Sequence, residues 1–175
     1  VPALTHILVG RVEDVFWLRV EGKGTFQNSL QVKRAVQKAV SQGSHQIVVD
    51  LERCPIMDST FLGTLTGAAI SLREVPEGKV SVINANPRNL QLMSSLGLDF
   101  ILEVDSDGSQ WRSQRRQVSS MLGQCSEPAV VDRQDQAEHV LEAHQALADI
   151  SPDNQCRFQD VIEFLEKELG DRHEG

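Results

Sequence analysis

A serine hydroxyl at the start of a helix can accept a phosphoryl group or act as a nucleophile, and the run Asp58-Ser59-Thr60-Phe61 offers one. Asp58 has the short acidic side chain that accepts hydrogen bonds from the first free N–H groups of a helix. Ser59 then lies at the positive end of the helix dipole, where an anion such as phosphate is favoured. From spacing alone, a plain cap is the commoner use of such residues. Nucleophilic catalysis would need a base beside Ser59, and the surrounding residues form no GxSxG elbow. No carboxylate pair stands out from the surface background, so the chain reads as a non-enzyme. His139 and His144 are five residues apart, off a common helix face, and no HExxH pattern is present. Glu138, His139 and Glu142 read as a solvated helix face, and no metal or cofactor is expected.

The elements that must hold Ser59 follow from periodicity. Ile47-Val48-Val49 is a continuous apolar run of the kind buried on both faces of a parallel sheet. Pro55 stops that strand, and Leu62, Leu65, Ala69 and Leu72 then recur at helical spacing. Gly63 and Gly67, one turn apart, make a smooth notch suited to close packing against the sheet. Before this unit, HILVGR and VFWLRVE predict a hairpin turning at Glu13-Asp14, and Val32, Ala35, Val36, Ala39 and Val40 line a helix ended by Gly43. After it come a strand at 79–84, a short helix opened by Asn86-Pro87 and a last strand near Phe100 to Val104. The order is β-β-α-β-α-β-α-β, with the later strands parallel and Ser59 on a loop at the carboxyl edge of the sheet.

The string MDSTFLG between an apolar strand and a helix resembles the central motif of anti-sigma factor antagonists, within the wider family of sulfate transporter and anti-sigma antagonist (STAS) domains. Supporting pieces are LRVEG, VVDL, VSVIN and LGLDFILEV, and the similarity covers about residues 7 to 104. The resemblance implies an α/β fold, a mixed sheet of about five strands with covering helices, here followed by a two-helix C-terminal extension. It implies that Ser59 is the phosphate acceptor, with Asp58, Ser59, Thr60 and Phe61 at the partner-binding surface. The partners implied are an anti-sigma factor or serine kinase, and a serine phosphatase. The function implied is transcriptional regulation by partner switching. The alternative is a non-switching STAS scaffold or ligand-binding module of a signalling or transport assembly. One departure is Phe61, where the family usually has glycine two residues after the serine.

The formal charge of -8 resides in residues 105–175, which carry 7 basic and 15 acidic side chains, while residues 1–104 carry 10 of each. A neutral body with an acidic tail argues against nucleic acid, whose binders need a basic patch. Three widely spaced cysteines, Cys54, Cys125 and Cys156, read as reduced thiols and so as a cytoplasmic protein. No leader-type segment or membrane-length apolar run is read in the chain, and its first residue, Val1, suggests a processed start. The expected divisions are a domain over 1–104, a linker over 105–128 and a helical extension over 129–175. In the extension, Ala137, Val140, Leu141, His144, Leu147 and Ala148 form one apolar stripe, and Phe158, Val161, Ile162, Leu165 and Leu169 another. Two helices are too small a core to fold alone, so they must dock on the first domain, on another protein, or on a second copy as a homodimer.

Overall fold

Two apolar runs separated only by Glu13-Asp14 pair as an antiparallel hairpin, β1 (His6–Val12) with β2 (Val15–Glu21). The computed structural model describes residues 5–126 and 131–173. Gly22, at φ 104°, lets the chain leave β2 in a turn closed to most side chains. Thr25 then caps α1 (Phe26–Ser41) through a capping box with Asn28. β3 (Gln46–Arg53) lies between β2 and β4 (Lys79–Ile83) and is parallel to both, with Val49 opposite Leu18 and Val82. α2 (Ser59–Leu72) connects β3 to β4, and α3 (Pro87–Ser95) leads through a single 3-10 turn, Leu98–Phe100, to the short parallel β5 (Glu103–Val104).

The chain between Asp105 and Ser126 carries α4 (Arg112–Val118) and a two-residue strand, β6 (Gly123–Gln124), which adds to the free edge of β1. The mixed sheet therefore has six strands in the order β5-β4-β3-β2-β1-β6. This is the expected α/β class, with one small edge strand more than the sequence pattern suggests.

Alternation along β3 divides the interior. Ile47, Val49 and Leu51 face α1, α2 and α3 in the larger core, whereas Val48 joins Trp17, Ile83 and Val118 under α4. Asp50 also points to the α4 side. It is almost fully buried and accepts from Arg19 Nε at 3.0 Å, Trp17 Nε1 at 3.4 Å and Asn84 Nδ2 at 3.0 Å. A buried carboxylate is tolerated only with such partners.

α5 (Arg133–Ala148) and α6 (Pro152–His173) add a layer outside α1 and α2. α5 lies along α2 and touches α1, and α6 lies along α5. Leu147 and Phe158 reach the larger core. The hairpin's turn is tied down by Asn154, whose Nδ2 donates to Leu96 O and Leu147 O, each at 2.9 Å. The homodimer expected through these helices is thus not needed to cover Leu147 or Phe158, although Val161 and Phe164 remain exposed.

Candidate functional site

The loop from Cys54 to Asp58 brings the start of α2 beside the start of α1. Gly24 N donates to Ile56 O at 3.0 Å and Asp58 N to Gly24 O at 2.8 Å, so the two loops run side by side. Asp58 is the N-cap of α2, accepting from Phe61 N at 2.8 Å through Oδ1. Its other oxygen, Oδ2, accepts from Phe26 N at 2.8 Å and so joins the α1 N-terminus to the same carboxylate. One side chain holds both helix ends.

Ser59 is half-buried in the first turn of α2, and its Oγ lies 3.0 Å from Nε2 of His144 on α5. His144 Nδ1 lies 2.8 Å from Val140 O. A carbonyl only accepts, so Nδ1 carries the proton, and in the neutral ring Nε2 accepts from the Ser59 hydroxyl. Phe158 meets the imidazole edge-on at 5.5 Å and fixes its plane. The base that the local sequence lacks is therefore supplied from 85 residues away. Asp58 occupies one N–H of the first turn, α5 lies over the serine, and the cleft of about 600 Å³ between α1, α2 and α5 is lined by Gly63, Thr64 and Gly67 and not by Ser59.

A second histidine of α5 makes a parallel contact. His139 Nε2 lies 2.8 Å from Ser29 Oγ and 3.3 Å from Thr64 Oγ1. Those hydroxyls already donate to Phe26 O and Thr60 O, so Nε2–H is the donor and Nδ1 is left buried without a partner. The solvated face expected for His139 is thus corrected: both histidines are buried, because α5 is enclosed by α1 and α2 on one side and α6 on the other. Five residues apart they point in different directions, yet each finds a neighbouring hydroxyl. Among the described residues, no group of three or more His, Cys, Asp or Glu could hold a metal.

Burial, reinforced by the positive charge of Lys33, holds the His139 pKa down at about 4. Glu142 pulls it up and Arg34 adds to the lowering. Unfolded, the imidazole would titrate at about 6.5. The unfolded chain therefore binds more protons between these values, so stability rises with pH through the window. The contribution is complete above about pH 6.5 and lost as pH falls towards about 4. After allowance for solvent screening it amounts to about 2 kcal/mol at most. Urea unfolding of wild type and His139→Leu at pH 7.5 and pH 4.5 should show a smaller acid loss in the variant. Identical losses would rule out His139 as the titrating group.

Two of the four residues expected at a contact surface are buried. Phe61 is fully buried and Thr60 nearly so, which leaves Asp58 and Ser59 as the partly exposed members. In this structure the Phe61 and Thr60 side chains are packed inside and not presented at the surface. The Phe61 ring covers Gly24 so closely that a Cβ there would lie 2.9 Å from it. That ring is accommodated by the small residue beneath it. The Gly63–Gly67 notch is used differently from expectation. It faces α5 and not the sheet, and a Cβ on Gly63 would lie 2.1 Å from Ala143 O. Sequence reasoning placed His144 on an apolar stripe, and nothing local signals its pairing with Ser59.

The sheet order and the serine-bearing turn define a STAS domain, and comparison with known proteins agrees. The family model described as "Mlab, STAS domain" matches residues 7–103. This chain belongs to the STAS family. Similar solved structures include a Thermotoga maritima protein assigned to the anti-sigma factor antagonists, at 22% identity and a TM-score of 0.54, covering 62% of this chain and 93% of that one. Unphosphorylated SpoIIAA, an anti-sigma factor antagonist, is similar at 20% identity and a TM-score of 0.51, covering 63% and 97%. An antagonist from Mycobacterium paratuberculosis is similar at 16% identity and a TM-score of 0.53, covering 69% and 97%. At these identities the likeness is one of fold. Among the described residues, no helix is long and apolar enough to cross a membrane.

Proposed function

We propose that this protein is a binding module switched by phosphorylation of Ser59, working in the cytoplasm by partner exchange with an anti-sigma factor or serine kinase and reset by a serine phosphatase. The observation that carries the reading is the placement of the Ser59 hydroxyl at the α2 N-terminus, within hydrogen-bond distance of His144 Nε2. A phosphate there gains the helix dipole and adds nearly two negative charges beside Asp58, enough to repel an acidic partner or break a contact made by the free hydroxyl. Support comes from the family match and from the fold shared with SpoIIAA, which has also been solved in a phosphorylated form. The protein acts by binding and not by catalysis.

Phosphopeptide mapping after incubation with ATP and the cognate serine kinase is expected to place phosphate on Ser59, and Ser59→Ala to remove at least nine-tenths of it. Phosphate retained in Ser59→Ala, or mapped to the buried Thr60, would overturn the assignment. The cover of α5 over Ser59 favours a second reading, a STAS module in a signalling or transport assembly that is never switched. Absence of phosphate from Ser59 under all kinase conditions, together with unchanged partner binding in Ser59→Asp, would select it.

A further inference from the structure

We infer that the outer face of α2 is a docking surface for a helix, and that the α5–α6 hairpin is its resident, displaceable occupant, guarding Ser59. The surface has a definite chemistry. Gly63 lets a crossing backbone approach to contact, as the Ala143 carbonyl does, and the Ser59 and Thr64 hydroxyls present hydrogen-bonding groups on either side. The helix that fits it carries a small residue opposite Gly63 and a side chain able to accept from Ser59. α5 meets both requirements with Ala143 and His144. An external partner helix built to the same pattern competes for the same ground.

Two observations mark the hairpin as displaceable, set against the burial of its Leu147 and Phe158 in the larger core. Its contact with α1 and α2 is rich in polar pairs: His144 with Ser59, His139 with Ser29 and Thr64, Gln136 with Phe26 O at 2.8 Å, and the ion pair Lys33–Glu142. Such groups find equivalent partners in water, so undocking leaves few of them unsatisfied. The family match ends at residue 103, so the hairpin lies outside the shared domain.

The guard deepens the reading of Ser59 as acceptor and rests on it, whereas displaceability does not. Two thiols in the full-length chain separate them. Ser29, fully buried beneath His139, becomes a reporter of hairpin opening as Ser29→Cys, in a background of Cys125→Ser and Cys156→Ser. The native Cys54, buried and with its pKa raised by burial, reports opening of the domain itself. With N-ethylmaleimide read by mass spectrometry, the thiol introduced by Ser29→Cys should react at least ten-fold faster than Cys54. Adding Gly63→Ala, which favours α2 but collides with Ala143, should speed it about ten-fold more and leave Cys54 unchanged. Equal rates at the two thiols overturn displaceability, and this comparison stands even if Gly63→Ala fails to fold. Incubated with ATP and source-cell extract, Gly63→Ala should gain phosphate on Ser59 at least five-fold faster than wild type. Equal phosphorylation overturns the guard. No phosphate on either protein sinks the acceptor assignment, and the thiol rates still decide whether α5 is displaceable.

Discussion

Phe61→Ala is expected to lower the unfolding free energy by about 3–5 kcal/mol, the range for removing a fully buried aromatic ring. The ring is the wedge between the first turn of α2 and the Gly24 loop, and Phe61 N is the donor to the Asp58 cap. Losing it leaves a cavity under the two helix ends that Asp58 joins, so the first turn of α2 should loosen along with the core. A double substitution tests the local match. Gly24→Ala alone should destabilise, since its Cβ would meet the ring at 2.9 Å, whereas in the Phe61→Ala background the same change should cost little or gain. Urea unfolding of the four proteins makes the cycle. A loss below 1 kcal/mol for Phe61→Ala, or simple additivity, would mean that the ring does not anchor the serine-bearing turn.

The second large effect lies on the opposite face of the sheet. Asp50→Ala is expected to cost about 3–5 kcal/mol, because it removes one partner of a buried ion pair and leaves the Arg19 guanidinium without its carboxylate. Trp17 Nε1 and Asn84 Nδ2 lose the same acceptor, and the damage spreads through Asn84 Oδ1, which accepts from Arg115 Nη1 at 2.8 Å. Asp50→Asn keeps an acceptor oxygen and the shape but not the charge, and should lie between. Thermal and urea unfolding measure both. At temperatures where the protein stays folded, phosphorylation of Ser59 should be unaffected, since the Ser59–His144 contact is on the α5 side of the sheet. A change in phosphorylation larger than the unfolded fraction explains would show coupling across the sheet.

Legibility in the sequence tracked distance along the chain. The β3–loop–α2 unit, the Asp58 cap and the place of Ser59 in the first turn were readable because strand periodicity and N-capping act over a few residues. Gly43 as the left-handed end of α1 and Asn86-Pro87 as the start of α3 are of the same kind. The short β6 was missed because two residues carry no period, and only the free edge of β1 makes them a strand. Phe61 was read as a surface departure from a family pattern, since nothing within a few residues of it announces the Gly24 loop.

By itself, then, the sequence determined the order of elements as far as β5, the parallel crossovers and a serine at a helix N-terminus. Each of these follows from local backbone preferences and from burying apolar faces. The tertiary structure decided what that serine touches. His144 reaches Ser59 across 85 residues and His139 reaches Ser29 across 110, and Ala143 fills the notch at Gly63. A histidine on a helix is compatible with solvent, a core or a ligand, and composition does not distinguish them. The choice was made by enclosing α5 between α1–α2 and α6, where each imidazole finds a hydroxyl to bond and burial pushes the His139 pKa down.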